Sequence, residues 1–191
     1  MGPHGPDAFA ERDAELIARL RQDDVRALGV LMQTYAERLT QIARLVVRRT
    51  DLAQDVVQNV FVSLWHRRAE LEISGSVFVY LGRAVRNQAI STIRHEQAQQ
   101  RAHDAVEAMY AIGPRVAWNE GAAALEVREI DQRIRHAIDT LQPQVREIFL
   151  LRRLHGMAYP DIAALLGVSV LTVRSQMSRA IRRLIDVVRE G

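Results

Sequence analysis

The feature that most constrains this chain is a helical spacing of its apolar residues. In two consecutive stretches, apolar side chains return at steps of three and four, which places them along one side of an α-helix. The first stripe comprises Leu28, Leu31, Met32, Tyr35, Leu39, Ile42 and Val46, and the second comprises Leu52, Val56, Val57, Val60, Phe61, Leu64 and Trp65. Because convincing strand alternation occurs nowhere, the sequence predicts an all-α fold.

A turn and a third helix follow these two stripes. The run Glu72–Ser76 contains Ser-Gly-Ser, which is a turn signal. Beyond it we expect a helix from about Val77 to Arg94. Its inward residues are predicted to be Tyr80, Leu81, Ala84, Val85 and Ile90. At the start of the second stripe, Asp51 is placed where a carboxylate can accept from free amides and meet the helix dipole.

The domain organisation is indicated by a change of composition near the middle of the chain. Residues 97–124 are rich in Gln, Ala and His and carry no lasting apolar stripe, so we expect a flexible linker there. A second helical block follows it. The sequence thus predicts an N-terminal tail (1–14), a small helical domain (15–96), the linker (97–124) and a second small helical domain (125–191).

Several classes of protein are excluded by composition. The chain has 191 residues and no Cys, which removes disulfides, thiol nucleophiles and Cys-built zinc sites. No run approaches the ~18 apolar residues of a membrane span, and the N-terminus lacks the apolar core of a signal peptide. We therefore expect a cytoplasmic protein. All 26 basic residues in the Lys+Arg total are Arg, and its planar fork suits phosphates and guanine edges.

The most specific local pattern is a helix-turn-helix between Tyr159 and Arg183. Pro160 suits a first helical turn, Gly167 ends that helix, and Ser169 caps the next. The buried stripe of the second helix is predicted to comprise Val173, Met177, Ala180, Ile181 and Leu184. Its outward face carries Arg174, Ser175, Ser178, Arg179 and Arg182. That face fits a recognition helix in a major groove; the alternative, a plain helical hairpin with a solvated basic face, explains fewer of these features.

Catalysis finds no support in the sequence. The six His residues are scattered without a metal-binding spacing, and neither a P-loop nor a dinucleotide-binding glycine pattern is present. The adjacent Asp23 and Asp24 are interpreted as helix-start charge. We therefore expect no enzyme activity, no metal, no cofactor and no small-molecule substrate.

Three motifs in order resemble the sigma-70 superfamily, in particular its extracytoplasmic-function (ECF) group. Residues 51–65 look like the family's polymerase-binding helix, residues 80–94 like its promoter-melting helix, and residues 141–152 with the helix-turn-helix like its region four. The resemblance covers roughly residues 15–96 and 125–188. It implies an alternative sigma factor that binds core RNA polymerase and directs promoter-specific transcription initiation through the −10 and −35 elements.

The resemblance also implies a role for individual residues. Those at the polymerase β′ clamp coiled coil are Asp55, Gln58 and Asn59, the last standing where the family usually has Glu. Those at the −10 element are Ser74, Gly75, Ser76, Arg83, Arg86, Asn87, Ser91 and Arg94, with Asn87 as the candidate to hydrogen-bond an extruded base. Those at the −35 element are Arg174, Ser175, Ser178, Arg179 and Arg182.

The implied partners are core polymerase, promoter DNA and an inhibitor. Ile148, Phe149 and Leu151 are predicted core residues, part of whose apolar surface is available to the β flap. The group usually has an anti-sigma factor, often anchored in the membrane.

Two alternative functions are open. A sigma-like decoy should lack the basic face of Arg174 and Arg179. A dimeric repressor or response-regulator output domain leaves residues 51–94 unexplained.

Overall fold

The computed structural model describes residues 6–104 and 133–189, and all the helices and turns of these ranges confirm an all-α fold without strands. The chain divides into two compact units, residues 1–115 and 116–191. The first unit contains α1 (Pro6–Arg21), α2 (Val25–Val47), α3 (Thr50–His66), a 3-10 turn (Arg68–Glu70) and α4 (Val77–Asp104). The second contains a helical segment at 133–139, then α5 (Pro143–His155), α6 (Tyr159–Leu166) and α7 (Val170–Arg189).

The core of the first unit is built around α2, which contacts α1, α3 and α4. Both sequence-predicted stripes supply this core, with Leu31, Leu39 and Phe61 almost wholly removed from solvent. The buried residues of α2 and α3 are Ala27, Leu31, Tyr35, Leu39, Ile42, Ala43, Val47, Ala53, Val56, Val57, Val60, Phe61 and Leu64. Burial of such side chains contributes about 1.5–3 kcal/mol each, so this layer holds the helices that carry the polar faces described below.

The turn between α1 and α2 is fixed by a carboxylate. Asp24 is the N-cap of α2 and accepts a hydrogen bond from the backbone N–H of Arg26 at 2.9 Å. Its other oxygen accepts from Arg19 at 2.8 Å. The hydrogen bond from Arg19, followed by that from Arg26, lowers the pKa of Asp24. The cap therefore stays charged at neutral pH and satisfies amides that the first helical turn leaves open.

The longest helix, α4, extends beyond its sequence-predicted end. Its apolar stripe weakens after residue 94, yet the helix continues to Asp104 and enters the segment predicted as linker. The added residues include three Gln and two Ala, which are good helix formers. Among the residues described, no helix is both long and apolar enough to cross a membrane.

A buried hydrogen bond joins α1 to α2. The Tyr35 hydroxyl donates to a carboxyl oxygen of Asp13 at 2.6 Å, and both residues are buried. Asp13 falls within the segment that the sequence assigns to the tail, whereas in the structure α1 begins at Pro6 and packs on α2. Burial, followed by the hydrogen bond to Asp13, raises the pKa of Tyr35. The bond thus anchors α1 to the first unit.

We expect Tyr35→Phe to lower the free energy of unfolding by about 1–3 kcal/mol, because it leaves the buried Asp13 carboxyl without its donor. Urea denaturation at pH 7 measures this loss. Because the folded-state pKa is raised, the stabilisation is fully present below the ordinary tyrosine pKa and is lost as pH rises toward the folded-state value. Tyr80→Phe makes the same change at a half-exposed site and should cost less than about 0.5 kcal/mol; equal losses would contradict this prediction.

The second unit packs α5 and α6 against α7. Its core contains Ile148, Leu151, Ile162 and Val173, each fully buried. Ile148 and Leu151 are thereby confirmed as core residues. Phe149, the third predicted core residue, is instead half-exposed and so keeps apolar surface accessible.

Two polar contacts attach the segment 133–139 to the rest of the second unit. Arg133 donates to the carbonyl oxygen of Val187 on α7 at 2.8 Å. Arg146 on α5 pairs with Asp139 at 2.6 Å, and its side chain is 9% exposed. The segment is therefore tied to both the first and the last helix of this unit.

Candidate nucleic-acid interface

The helix-turn-helix of the second unit forms as its residues predict. Pro160 lies in the first turn of α6, and Gly167 ends that helix with φ of 69°, a conformation that glycine adopts without strain. The Ser169 hydroxyl then accepts from the backbone N–H of Thr172 at 3.0 Å, which caps α7. Ala158, at the N-cap of α6, provides no side-chain hydrogen bond. The turn therefore joins two helices that pack on each other.

The outward face of α7 carries all five residues that the sequence assigns to the −35 element. Val173, Met177 and Ala180 are buried and define the inner face. The opposite face carries the exposed side chains of Arg174, Ser175, Ser178, Arg179 and Arg182. At about 100° per residue, these five lie within roughly 140° of one another. The arrangement presents a basic, hydroxyl-bearing ridge of the width that a major groove admits.

Two hydrogen bonds organise this ridge. The Ser178 hydroxyl donates to the carbonyl oxygen of Arg174 at 3.0 Å, so its remaining capacity is that of an acceptor. Arg182 donates through Nε to the carbonyl oxygen of Ser178 at 3.3 Å. Within the part of the chain that the structure describes, Arg174 and Arg179 form no ion pair. Their guanidinium groups are therefore available to bases or phosphates.

The first unit places its predicted DNA-contacting residues on α4 and the loop before it. Ser74, Gly75 and Ser76 are exposed, and Gly75 has φ of 88°. The Ser76 hydroxyl accepts from the N–H of Val79 at 3.4 Å, at the start of α4. On α4 the exposed residues are Arg83, Asn87, Ser91 and Arg94, while Arg86 is half-buried. The four exposed residues lie within about 80° of one another and form one polar strip.

A cavity that the sequence did not predict lies beside this loop. It has a volume of about 450 Å³ and is bounded by α1 on one side and residues 71–77 on the other. Its walls combine apolar residues with Arg21 and Glu72, and the full lining is Ala14, Ile17, Ala18, Arg21, Leu71, Glu72, Ile73, Ser74, Gly75 and Val77. The spacing of Leu16, Ile17 and Leu20 signals that α1 is amphipathic, but nothing in the sequence indicates which loop it meets.

A third polar face lies on α3. Asp55, Gln58 and Asn59 are all exposed there, as their assignment to polymerase contact requires. Val62 is 54% exposed on the same side, one turn further along. Val62 was not predicted from the sequence, although its spacing of three, four and seven from the other residues is the available signal. A polar rim beside an exposed apolar residue is the usual composition of a protein–protein contact.

The helix faces together define a class of protein. One helical unit carries a helix-turn-helix with an exposed basic ridge, and the other carries two polar helix faces and a cavity beside the loop of Gly75. Among residues 6–104 and 133–189, no group of three or more His, Cys, Asp or Glu is placed to hold a metal ion. The chain is a two-unit helical DNA-binding protein.

Two family models match the chain, one on each unit. The Sigma-70 region 2 model matches residues 31–99, and the Sigma-70, region 4 model matches residues 131–184. The "ECF RNA polymerase sigma factor SigM" of Mycobacterium tuberculosis is 28% identical over 172 residues, which cover 90% of this chain and 82% of that protein. The "Probable RNA polymerase sigma factor RfaY" of Xanthomonas campestris is 27% identical over 155 residues, which are 81% of this chain but 38% of that longer protein.

A solved structure has the same fold. The sigma factor RpoE of Bartonella quintana, crystallised with the anti-sigma factor NepR, gives a TM-score of 0.60 at 25% identity, over 84% of this chain and 96% of that one. The chain belongs to the sigma-70 family, within its ECF group. It is thus an alternative sigma factor, and members of this family direct promoter-specific transcription and are not themselves enzymes.

Proposed function

We propose that this sigma factor docks on core RNA polymerase through α3, recognises and opens the −10 element through α4 and its preceding loop, and reads the −35 element through α7. The observation that carries the proposal is the exposure of all three residue sets on separate helix faces. Twelve of the sixteen assigned residues are exposed side chains on α3, α4 and α7, and three others, Ser74, Gly75 and Ser76, are exposed in the loop before α4. Arg86 alone is half-buried.

In vitro transcription tests the proposal as a whole. Purified full-length chain, combined with core polymerase and a fragmented library of its own genome, is expected to give transcripts whose mapped start sites share two upstream elements. The same library with core polymerase alone is the control. Failure to open any promoter, with no inhibitor present, would refute the assignment of all three faces.

The polymerase contact is assigned to the face of α3 formed by Asp55, Gln58, Asn59 and Val62. We expect Asp55→Ala to weaken binding to core polymerase roughly tenfold, because truncating a charged residue at an interface leaves its partner unpaired. Fluorescence anisotropy of labelled protein against core polymerase measures the change. Gln54→Ala alters an exposed neighbour on the flank of the same helix and should leave affinity unchanged. An equal loss in both variants would remove this face from the contact.

The −10 contact is assigned to the polar strip of α4 and the loop at Ser74–Ser76. Separating and unstacking a base pair costs a few kcal/mol, which must be offset by contacts to the extruded base. The strip offers amide, hydroxyl and guanidinium groups for base edges and phosphates. The neighbouring cavity, with apolar walls and two charged residues, is of a size that admits a nucleobase.

For Asn87→Ala we expect a loss of about 1–2 kcal/mol in open-complex stability, because one hydrogen bond to a base edge is removed. Permanganate footprinting on a promoter found in the transcription assay measures the loss. An abasic nucleotide at the recognised position should weaken the wild-type chain and leave Asn87→Ala unaffected. Gln88→Ala, an exposed amide on the flank of α4, is the matched control. If the abasic substitution weakens both chains equally, Asn87 does not contact that base.

An anti-sigma factor is proposed as a further partner, because the solved structure of Bartonella RpoE holds one. We propose a membrane-anchored partner because anti-sigma factors of this group are often anchored in the membrane. Affinity capture of the full chain from cells before and after stress should recover a small second protein alongside polymerase. Recovery of polymerase alone under every condition would count against the proposal. The basic ridge at Arg174 and Arg179 disfavours a sigma-like decoy, which has no use for exposed DNA-binding residues.

A further inference from the structure

Leu171 is an anomaly on the surface of the second unit. Its side chain is 76% exposed, more than any other large hydrophobic residue among those described. It is the second residue of α7, immediately after the capping Ser169 and Val170. A single exposed leucine needs no explanation on an ordinary surface, but this one stands on the helix that carries the basic ridge.

The helical geometry puts Leu171 in the middle of that ridge. Measured at about 100° per residue from Leu171, Ser178 and Arg182 each lie within roughly 20°, and Arg174 and Ser175 lie within roughly 60°. The buried residues Val173, Met177 and Ala180 are on the far side of the helix. Leu171 therefore points away from the core, in the direction of the proposed base-contacting residues.

Its position along the helix is also the one that meets base edges. The first residues of a recognition helix enter the major groove most deeply, while later residues pass toward the backbone. Arg174 and Ser175 follow Leu171 by one helical turn. A side chain at this place with no donor or acceptor cannot bind a phosphate or the polar edge of guanine, adenine or cytosine.

One group in the major groove suits such a side chain. Thymine alone among the four bases presents an apolar group there, the C5 methyl, and apolar side chains contact it. We propose that Leu171 is a specificity-determining residue that contacts a thymine methyl in the −35 element. The inference rests on the proposed function of α7 and adds a base preference that the arginines and serines of the ridge do not supply.

The test removes only the methyl group from the DNA. A −35 element is first selected from a random-sequence duplex pool by the full chain with core polymerase. Each thymine on either strand of the selected element is then replaced singly by deoxyuridine, which lacks the C5 methyl. At one position the wild-type chain should lose about three- to fivefold in affinity, the loss that corresponds to one methyl group at 0.8 kcal/mol.

Leu171→Ala should bind the thymine duplex more weakly and be insensitive to deoxyuridine at that same position. Ile185→Ala is the matched control, because it truncates another exposed aliphatic residue of α7, 44% exposed, about 21 Å further along the helix. This control should retain the wild-type response to deoxyuridine. Thermal melting of each variant confirms that the exposed substitutions leave the fold intact.

The inference is overturned if deoxyuridine affects the wild-type chain at no position, or if Leu171→Ala responds as the wild type does. A selected element that contains no thymine on either strand would overturn it as well. If the pool yields no common upstream element at all, the proposed function of α7 falls with it. Retained selection with lost methyl dependence would leave the proposed function standing and remove only the role of Leu171.

Discussion

Replacing Arg174 with Ala is expected to weaken binding to the −35 element by about 1–3 kcal/mol, or roughly 5- to 150-fold. Arg174 is exposed near the start of α7, one turn beyond Leu171, and it forms no ion pair within the described residues. A guanidinium so placed can donate two parallel hydrogen bonds to O6 and N7 of guanine. Its loss removes both bonds and leaves the two acceptors poorly solvated in the groove.

Two controls separate base reading from charge. Arg183→Ala removes one positive charge from an exposed site on the flank of α7, about 13–14 Å along the axis from Arg174. It should weaken binding only slightly and equally on all sequences. Competition with scrambled duplex then distinguishes the roles of Arg174 itself. A loss confined to the −35 sequence supports base reading, whereas an equal loss on scrambled DNA would show that Arg174 only holds phosphate.

Local signals explain why the helix-turn-helix was predictable in detail. Proline in the first turn, glycine at the helix end and serine at the next cap each act within four residues. The structure confirms the roles of Pro160, Gly167 and Ser169. The inner face of α7 was predicted less well, because Ile181 is 45% exposed although the spacing assigns it to the buried stripe. Amphipathic periodicity gives the direction of a buried face but not where the neighbouring helices end.

The helix α4 shows the same limit. The sequence predicts Tyr80, Leu81, Ala84, Val85 and Ile90 as inward residues, whereas the buried ones are Val77, Phe78, Leu81, Val85 and Ala89. Leu81 and Val85 are thus confirmed, and the buried stripe, which faces α2 and α3, is narrower than the predicted one. Tyr80, Ala84 and Ile90 are half-buried and flank this stripe. Which residues of α4 are buried depends on the helices that pack against it, and the local spacing of apolar residues does not identify those helices.

Contacts between residues far apart in sequence could not be predicted from local sequence patterns. The bond from Tyr35 to Asp13 spans 22 positions and joins α2 to a segment predicted as tail. The cavity likewise requires α1 to meet residues 71–77. Asp51, predicted to accept from free amides at the start of α3, accepts from the backbone of Leu52 and also pairs with Arg49, which occupies the N-cap position. The hydrogen bond from Arg49 is the main cause of the lowered pKa of Asp51.

The two units are covalently connected through the predicted linker. Cutting the chain between residues 105 and 124 is expected to reduce promoter-dependent transcription by about 10²- to 10⁴-fold at nanomolar protein. The predicted linker of residues 97–124 lies partly outside the described residues, and the described part of α4 ends at Asp104. In the proposed arrangement on one DNA, the unit at −10 holds its tethered partner near −35 at an effective concentration that short linkers set in the millimolar range.

A specific protease site inserted within residues 105–124 of the full chain allows the cut to be made after purification. The uncut insertion variant is the control and should transcribe as the wild type does, because the entropic cost of closing a loop grows only slowly with its length. After cleavage, activity should become dependent on the concentration of the second fragment and recover as that fragment approaches the micromolar to millimolar range. Undiminished activity of the cut chain at nanomolar concentration would show that core polymerase alone holds both units in place, and that the tether contributes no effective concentration.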